Sequence, residues 1–509
     1  EIKFRPVPLV TETGQPNLNN VASYSAITGK IINIADAYSD EDQFDFSGTM
    51  RFDASTGYHS ESFLTVPLKN HENRVIGVMQ LINAKNEAGE VTAFDEAIVP
   101  LVEALASQAA VSIDNRQLIE AQKRLLDSFI ELIAAAIDAK SPYTGGHCQR
   151  VPELTKMLTR AVCDSDSEPF KAFSLDEAGW YELHIACWLH DCGKITTPEF
   201  VVDKATKLET ITDRIHEVRT RFEVLKRDAE IAYLKGRLEG GDEPALRAAC
   251  DAELAALDDD FAFIGECNVG GEFMAPAKVE RLKQIAERTW TRTLSDRVGI
   301  SLAEEGRRGR EPEQQLPVQE KLLQDRQDHI IARDAVDIMP MDNKWGFKLR
   351  MPKGKFNLGE VYNLSVGRGT LNDEERYKIN DHIMQTIIML EGLPFPRHLR
   401  RVAEYAGGHH EKMDGTGYPR GLKREDMSIP ARVMAIADIF EALTAADRPY
   451  KPAKKLSESI KIMGFMVKDQ HIDPDLFKLF LSSGVYKEYA EKYLKPEQID
   501  NVDLAAYLA

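Results

Sequence analysis

Five segments of this 509-residue chain carry histidines and acids in patterns that suit metal binding. They are GHCQRV (146–151), LHDCGK (189–194), NDHIMQT (380–386), GGHHEKMDGTGYP (407–419) and AIADIFEALTAADRPYK (435–451). Five of the twelve histidines fall in them, with Asp191 and Asp438. An adjacent His-Asp pair such as His190-Asp191 occurs by chance in many chains, and the accompanying segments are what give it weight. Imidazole nitrogen suits Mn, Fe, Ni and Zn, and a carboxylate can bridge two cations. The seven side chains His147, His190, Asp191, His382, His409, His410 and Asp438 exceed the four ligands of one tetrahedral site. Two metals are therefore expected.

In this order the motifs resemble the HD-GYP family of cyclic di-GMP phosphodiesterases. The resemblance covers most of residues 127–200 and 370–470, and Gly417-Tyr418-Pro419 stands at the family's spacing from His409-His410-Glu411. It implies that His147, His190, Asp191 and Asp438 hold one metal, and that Asp191 bridges to a second completed by His382, His409 and His410. Fe or Mn is favoured, with Ni or Zn also fitting the donors. Some members hold a third metal through a glutamate one turn before the first histidine; here that position is Tyr143. A phosphodiester is an anion that resists attack by another anion, and two cations about 3.5–4 Å apart offset that charge. Asp191 and Lys194 are the candidate catalytic residues. Lys194, read as one helical turn from His190, is placed by the resemblance at the substrate phosphate and is the nearest proton source for the leaving oxygen. Arg448 and Lys451 resemble the family's phosphate-binding pair.

Other readings stand beside these. His216 follows KLETITDRI, which mimics the approach to the mid-chain ligand, but GTLNDEERYKINDHIMQTIIML (369–390) matches better and favours His382. Lys194 could serve only as a salt bridge, and Arg448 and Lys451 only as a solvated surface. Cys148 and Cys192 each adjoin a proposed ligand, so redox sensing competes with plain buried thiols. The whole could be a phosphodiesterase for a different cyclic dinucleotide, or a weak or inactive nucleotide-binding signalling protein that acts through a partner.

The elements that must position these residues divide in three. Residues 1–95 read as α+β: 29–36, 62–69 and 75–85 are strand-like, with a turn at 71–74. NIADAY (33–38), FD (52–53), TGY (56–58), VPLKN (66–70) and IGVMQLINA (76–84) resemble a GAF sensor domain without its opening elements, implying an unknown small ligand. Residues 96–139 read as one long linking helix. Ile98, Val102, Leu105, Ala109, Ser112, Arg116, Ile119, Lys123, Leu126, Ile130, Ile133 and Ile137 step by four and three, the seam of a coiled-coil homodimer through 98–137 or of a helix packed on its own domain. Residues 140–509 read as an all-α catalytic domain with a mostly helical insertion at 205–365. In it, Ile211 to Ala232 and Leu246 to Leu257 suggest a helical hairpin broken at Gly240-Gly241. Gly306 to Gln327 is charge-rich and expected to be partly disordered.

A net charge of −18 argues against a nucleic-acid polymer as partner, so an anionic substrate must be met by metals and a few placed cations. No unbroken apolar run reaches the roughly 18 residues of a membrane span. Six cysteines without a CxxC pair favour a reducing cytoplasm. The chain opens on Glu1 without methionine, so a native start beyond it is expected and the lack of a leader is uninformative.

Overall fold

The computed structural model describes residues 7–39, 44–140, 146–271, 273–446 and 453–508. Arg448, Lys451 and Tyr143 lie outside the described residues. The chain divides into two compact units, Glu1–Ser128 and Phe129–Ala509.

The first unit contains α1 (Val21–Thr28), β1 (Ile32–Ile34), α2 (Ser47–Thr56), β2 (Phe63–Lys69), β3 (Val75–Ile82), β4 (Ala84–Lys85) and β5 (Val91–Thr92). Strands β1, β2 and β3 form an antiparallel sheet in that order. The β2–β3 turn falls at the expected place, held by Asn70 Oδ1, which accepts from Glu72 and Arg74 backbone N–H at 3.1 and 3.0 Å. Strand β2 is buried on both faces, as its alternation dictates. Leu64, Val66 and Leu68 join Val102, Ala106 and Ala110 of the long helix. Phe63 joins Val21, Ile34 and Phe46 on the other face.

The long helix α3 (Val99–Lys140) follows. Of its expected seam, Val102 packs into the first unit's core, and Ile130 and Ile137 into that of the second. Leu105, Ile119 and Leu126 remain exposed in the single chain. The ends thus pack on their own units, because Val102, Ala106 and Ala110 recur every four residues and share one face. Although no unbroken apolar run is long enough, Glu96–Lys140 contains an 18-residue window of mean hydropathy 1.4, enough to cross a membrane by length and composition alone.

The second unit continues with α4 (His147–Cys163), α5 (Glu177–Leu189), α6 (Glu199–Val202), α7 (Ile215–Leu238), α8 (Glu243–Val269), α9 (Pro276–Ala286), β6 (Thr289–Arg292), α10 (Leu302–Arg308) and β7 (Val318–Lys321). Then come β8 (Ile330–Ala332), β9 (Gly354–Asn357), α11 (Glu360–Leu364), α12 (Asp373–Glu391), α13 (Val402–Gly407), α14 (Ile429–Thr444), α15 (Leu456–Lys468), α16 (Pro474–Ser482) and α17 (Val485–Tyr493). Leu154 and Leu158 of α4 pack with Ile436 and Phe440 of α14 and with Phe480 of α16. Leu183 and Ala186 of α5 pack with Tyr405 of α13 and with Ile130 of α3.

Within 205–365, α7 and α8 pair as a hairpin whose turn falls at Gly240-Gly241. Val218, Phe222, Leu257, Ile264, Leu282 and Leu322 build a core of their own. Phe347, in contrast, packs on Tyr377, Met384 and Ile387 of α12. The expected disorder of Gly306 to Gln327 is not what the structure shows: the segment folds as the end of α10, β7 and a defined loop. Its charges pair, with Arg308 and Arg326 both donating to Asp296 (2.5 and 3.2 Å) and Arg326 also to Asp328 at 2.9 Å. Composition registers the charges but not their pairing.

Candidate metal centre

Three histidines of the cluster are aimed by the backbone one turn before them. Nδ1 of His190, His382 and His409 lies 2.7, 2.5 and 2.6 Å from the carbonyl three residues earlier, that of Cys187, Ile379 and Ala406. A carbonyl only accepts, so each Nδ1 carries the proton and each Nε2 keeps its lone pair for a cation. His147, at the start of α4, turns Nδ1 instead to Glu441 Oε2 at 2.5 Å. Glu441 is buried, and its other oxygen accepts from Arg150 Nε at 2.7 Å.

Two groups result: His147, His190, Asp191 and Asp438, and His382, His409 and His410, the donor atoms of each lying within 4.8 Å of one another. Asp191 stands between them. Its Oδ2 is 3.3 Å from Nε2 of both His147 and His190, and its Oδ1 is 3.2 Å from His382 Nε2. His410 Nε2 lies 3.2 Å from His382 Nε2. Nε2 of His147, His190 and His409 and Oδ1 of Asp191 are buried with no hydrogen bond. Lone pairs facing one another in a dry interior are costly unless something cationic sits between them. Nitrogen and oxygen donors without thiolate suit Fe, Mn, Ni or Zn, and the residues present fit two such ions.

The protonation states divide likewise. Burial opposes charge on His147, yet Asp191, Asp438 and Glu441 outweigh it and hold the imidazole well above its ordinary pKa. Burial and the neighbouring His190 push His409 down to about 4, and burial with His409 pushes His410 well below its ordinary value. Burial works against ionised Asp191, but Lys194 and His190 outweigh it and keep the carboxyl well below its usual range.

All seven proposed ligands come together. His216 is exposed on the first turn of α7, 2.6 Å from Arg219, and belongs to neither group. Lys194 sits on a 3₁₀ turn (Cys192–Thr196), not on the α-helical turn expected from sequence. Residues three apart eclipse in that geometry, which sets Lys194 Nζ 2.5 Å from Asp191 Oδ2. Burial opposes the Lys194 charge, but Asp191 and Asp438 raise its pKa above the usual lysine value. Cys148 and Cys192 are buried, and burial pushes both thiols up, Cys192 to about 12, so the redox reading loses its reactive thiolate.

Sequence reading missed the residues that position the ligands. A Cβ at Gly193 would lie 1.9 Å from the His382 carbonyl, so only glycine lets the Asp191 turn touch α12. Its N–H donates to Thr386 Oγ1 at 2.9 Å. The turn at Gly417, by contrast, is expected from sequence to shape the pocket wall: a Cβ there would lie 2.3 Å from Lys412 N, and Tyr418 stacks on His410 with ring centres 5.0 Å apart. Glu441 was within reach of sequence: it follows Asp438 by three positions and shares its helix face.

A bundle of helices closed on seven metal-type side chains, following a small α+β unit in the chain, is similar to an HD domain preceded by a GAF domain. The HD domain family model matches residues 316–476 and the GAF domain family model residues 4–113. Among curated proteins, the chain is 39% identical over 116 residues to 3'3'-cGAMP-specific phosphodiesterase 1 of Vibrio cholerae, covering 23% of this chain and 26% of that one. It is 36% identical over 147 residues to a cyclic di-GMP phosphodiesterase of Thermotoga maritima, 29% of this chain and 38% of that one. Over 79 residues it is 43% identical to a cyclic di-GMP phosphodiesterase of Pseudomonas aeruginosa, 15% of this chain and 18% of that one. The chain thus spans between 18% and 38% of the length of these relatives.

Proposed function

We propose that the chain hydrolyses a phosphodiester bond of a cyclic dinucleotide, foremost cyclic di-GMP to linear pGpG and onward to GMP. The observation that carries this is Asp191, whose two oxygens face two separate groups of imidazole nitrogens. Two divalent cations, when bound there, neutralise the phosphodiester and lower the pKa of water enough to supply a nucleophile near neutral pH. The chain's own residues do the rest. His147, His190 and Asp438 hold one cation and His382, His409 and His410 the other, with Asp191 shared. Lys194 meets the phosphate oxygens and neutralises charge on the leaving ribose oxygen. Arg448 and Lys451 are assigned to the substrate phosphates.

The names of the Vibrio relatives support a second reading, in which the substrate is the mixed dinucleotide 3'3'-cGAMP. Incubating Mn- or Fe-loaded protein with cyclic di-GMP, 3'3'-cGAMP and cyclic di-AMP separates these readings by which one is linearised. No turnover of any, with nucleotide still bound, points instead to the signalling protein without catalysis.

Around this site we place a sensor at 1–95, a linking helix at 96–139 and a catalytic domain at 140–509 with the 205–365 insertion. The sensor takes a small ligand. The exposed Leu105, Ile119 and Leu126 support a homodimer through 98–137, which light scattering at micromolar concentration tests. All six cysteines are free, which suits a reducing cytoplasm.

A further inference from the structure

The charge-rich residues around 290–330 fold about a cavity of about 520 Å³ that shares no lining residue with the metal centre. Ligand pockets commonly fall between about 300 and 1,000 Å³. Four guanidinium groups, those of Arg292, Arg297, Arg308 and Arg326, and two lysines share its lining with six carboxylates, those of Glu287, Asp296, Glu311, Glu320, Asp325 and Asp328. Each guanidinium is fixed before any ligand arrives. Arg292 Nε donates to Glu320 at 2.7 Å, while Arg308 and Arg326 grip Asp296 and Asp328. Arg297 is held by two backbone carbonyls, Arg308 O at 3.2 Å and Glu311 O at 2.6 Å. Glu320, Asp296 and Asp328 are thus engaged by three arginines, and Arg297 adds a cation with no carboxylate partner among the described residues. Each guanidinium has five N–H donors in a plane, more than these bonds use.

We propose that this cavity binds a small phosphate ester of about mononucleotide size. Guanidinium forks match phosphate oxygens in pairs, and arginines already anchored give up little rotamer freedom on binding. The cavity also has a short route to the metal centre. Asp325 on its wall accepts from the Tyr362 N–H at 3.1 Å, and Tyr362 Oη donates at 2.9 Å to Glu374, in the first turn of α12. Helix α12 carries His382. An ester whose phosphate sits on the arginines and whose hydroxyls donate to Asp325 therefore acts on the helix that aims one proposed metal ligand, as an effector of the metal site. The ester could be a nucleotide of the kind the proposed reaction releases or another phosphorylated metabolite.

Calorimetric titration of the full-length, metal-loaded protein with GMP, ribose 5-phosphate and guanosine tests this. Binding of the two phosphate esters but not of guanosine is expected, and tighter GMP than ribose 5-phosphate assigns the site to nucleotide. Arg297→Ala, which leaves no buried carboxylate unpaired, should weaken that binding about tenfold or more, as loss of a charge-assisted bond does. Lys194→Ala should leave the Arg297-dependent binding unchanged. Should Arg297→Ala fail to fold, the half-exposed rim lysines Lys283 and Lys321 changed together to alanine should weaken binding several-fold. Absence of phosphate-ester binding, guanosine binding equally well, binding kept in the variants, or binding lost in Lys194→Ala overturns the proposal. None of these results bears on whether cyclic dinucleotides are hydrolysed, so the two readings fail separately.

Discussion

The two halves of the metal centre use the same side-chain types in opposite electrical settings. His147 lies beside three carboxylates, which raise its pKa; burial and the crowding of His409, His410 and His382 lower those of His409 and His410. The first half has two carboxylates, Asp191 and Asp438, backed by Glu441 and Arg150. The second has three imidazoles and only the far oxygen of Asp191. Coulomb attraction for a dication is therefore stronger in the first half, although the cation must displace a proton to enter it. The lesson is that a ligand list does not rank two sites, whereas the charges around it do.

The strongest break of this comparison is at the shared residue. Asp191→Asn should strip both halves and bring turnover to background, while His409→Ala with His410→Ala should leave one metal per chain, by elemental analysis. Equal metal loss in the two variants would show that the halves do not bind independently. Partial chelation of the wild type should empty the histidine half first.

Lys194→Ala comes next. Losing a charge that stabilises the transition state lowers turnover by roughly 10²–10³-fold, and metal content should stay near two. Loss of metal along with rate would make Lys194 a strut for Asp191, as their 2.5 Å contact alone would suggest.

The pH dependence of metal uptake sharpens the contrast further. His147 has a raised pKa, so apparent affinity of the first half should climb with pH until that pKa is passed. His409 is already neutral above about 4 and His410 is pushed well below its ordinary value, so these imidazoles of the second half should add little slope near neutrality. Competition titrations with a coloured chelator between pH 6 and 8 read both slopes. Glu441→Gln should flatten the first and cost about 10–100-fold in affinity, the usual effect of losing the group that orients a ligating histidine. A flat first slope in the wild type would remove the proton from this account.

Much of this was legible in sequence because residue type and spacing, with the family resemblance, pick out the side chains that gather. The seven side chains, the β2–β3 turn and the hairpin at Gly240-Gly241 all follow from local pattern. What was not legible depends on which surfaces meet. Nothing in the string LHDCGK says that Gly193 must touch the His382 carbonyl, because the partner lies on α12. Nor does a charge-rich stretch reveal that Arg308, Arg326, Asp296 and Asp328 form one network. The seam of α3 was half legible: stepping by four and three marks a face but does not say whether a neighbouring domain or a second chain covers it.

The smallest effect separates two parts of the 205–365 span. Replacing all of it with a Gly/Ser linker, as motif positions alone would allow, also removes Phe347 from Met384 and Ile387 on the helix of His382. It removes Arg333 from the face of Tyr377 and Asn357 from the α12 cap residue Asn372 as well. Truncating even one such aromatic to alanine typically costs about 3–5 kcal/mol, so that deletion should loosen the second metal half. The tip of the α7–α8 hairpin is different. Its buried residues cluster toward the base, at Val218, Phe222, Leu257 and Ile264, whereas Leu234 and Leu238 near the turn are exposed. Replacing residues 233–248 with a short Gly/Ser turn should therefore preserve both metals and leave turnover on the preferred dinucleotide within about twofold, since exposed substitutions cost little. A large rate change in that variant, with metals retained, would mean that the hairpin tip reaches substrate or a partner.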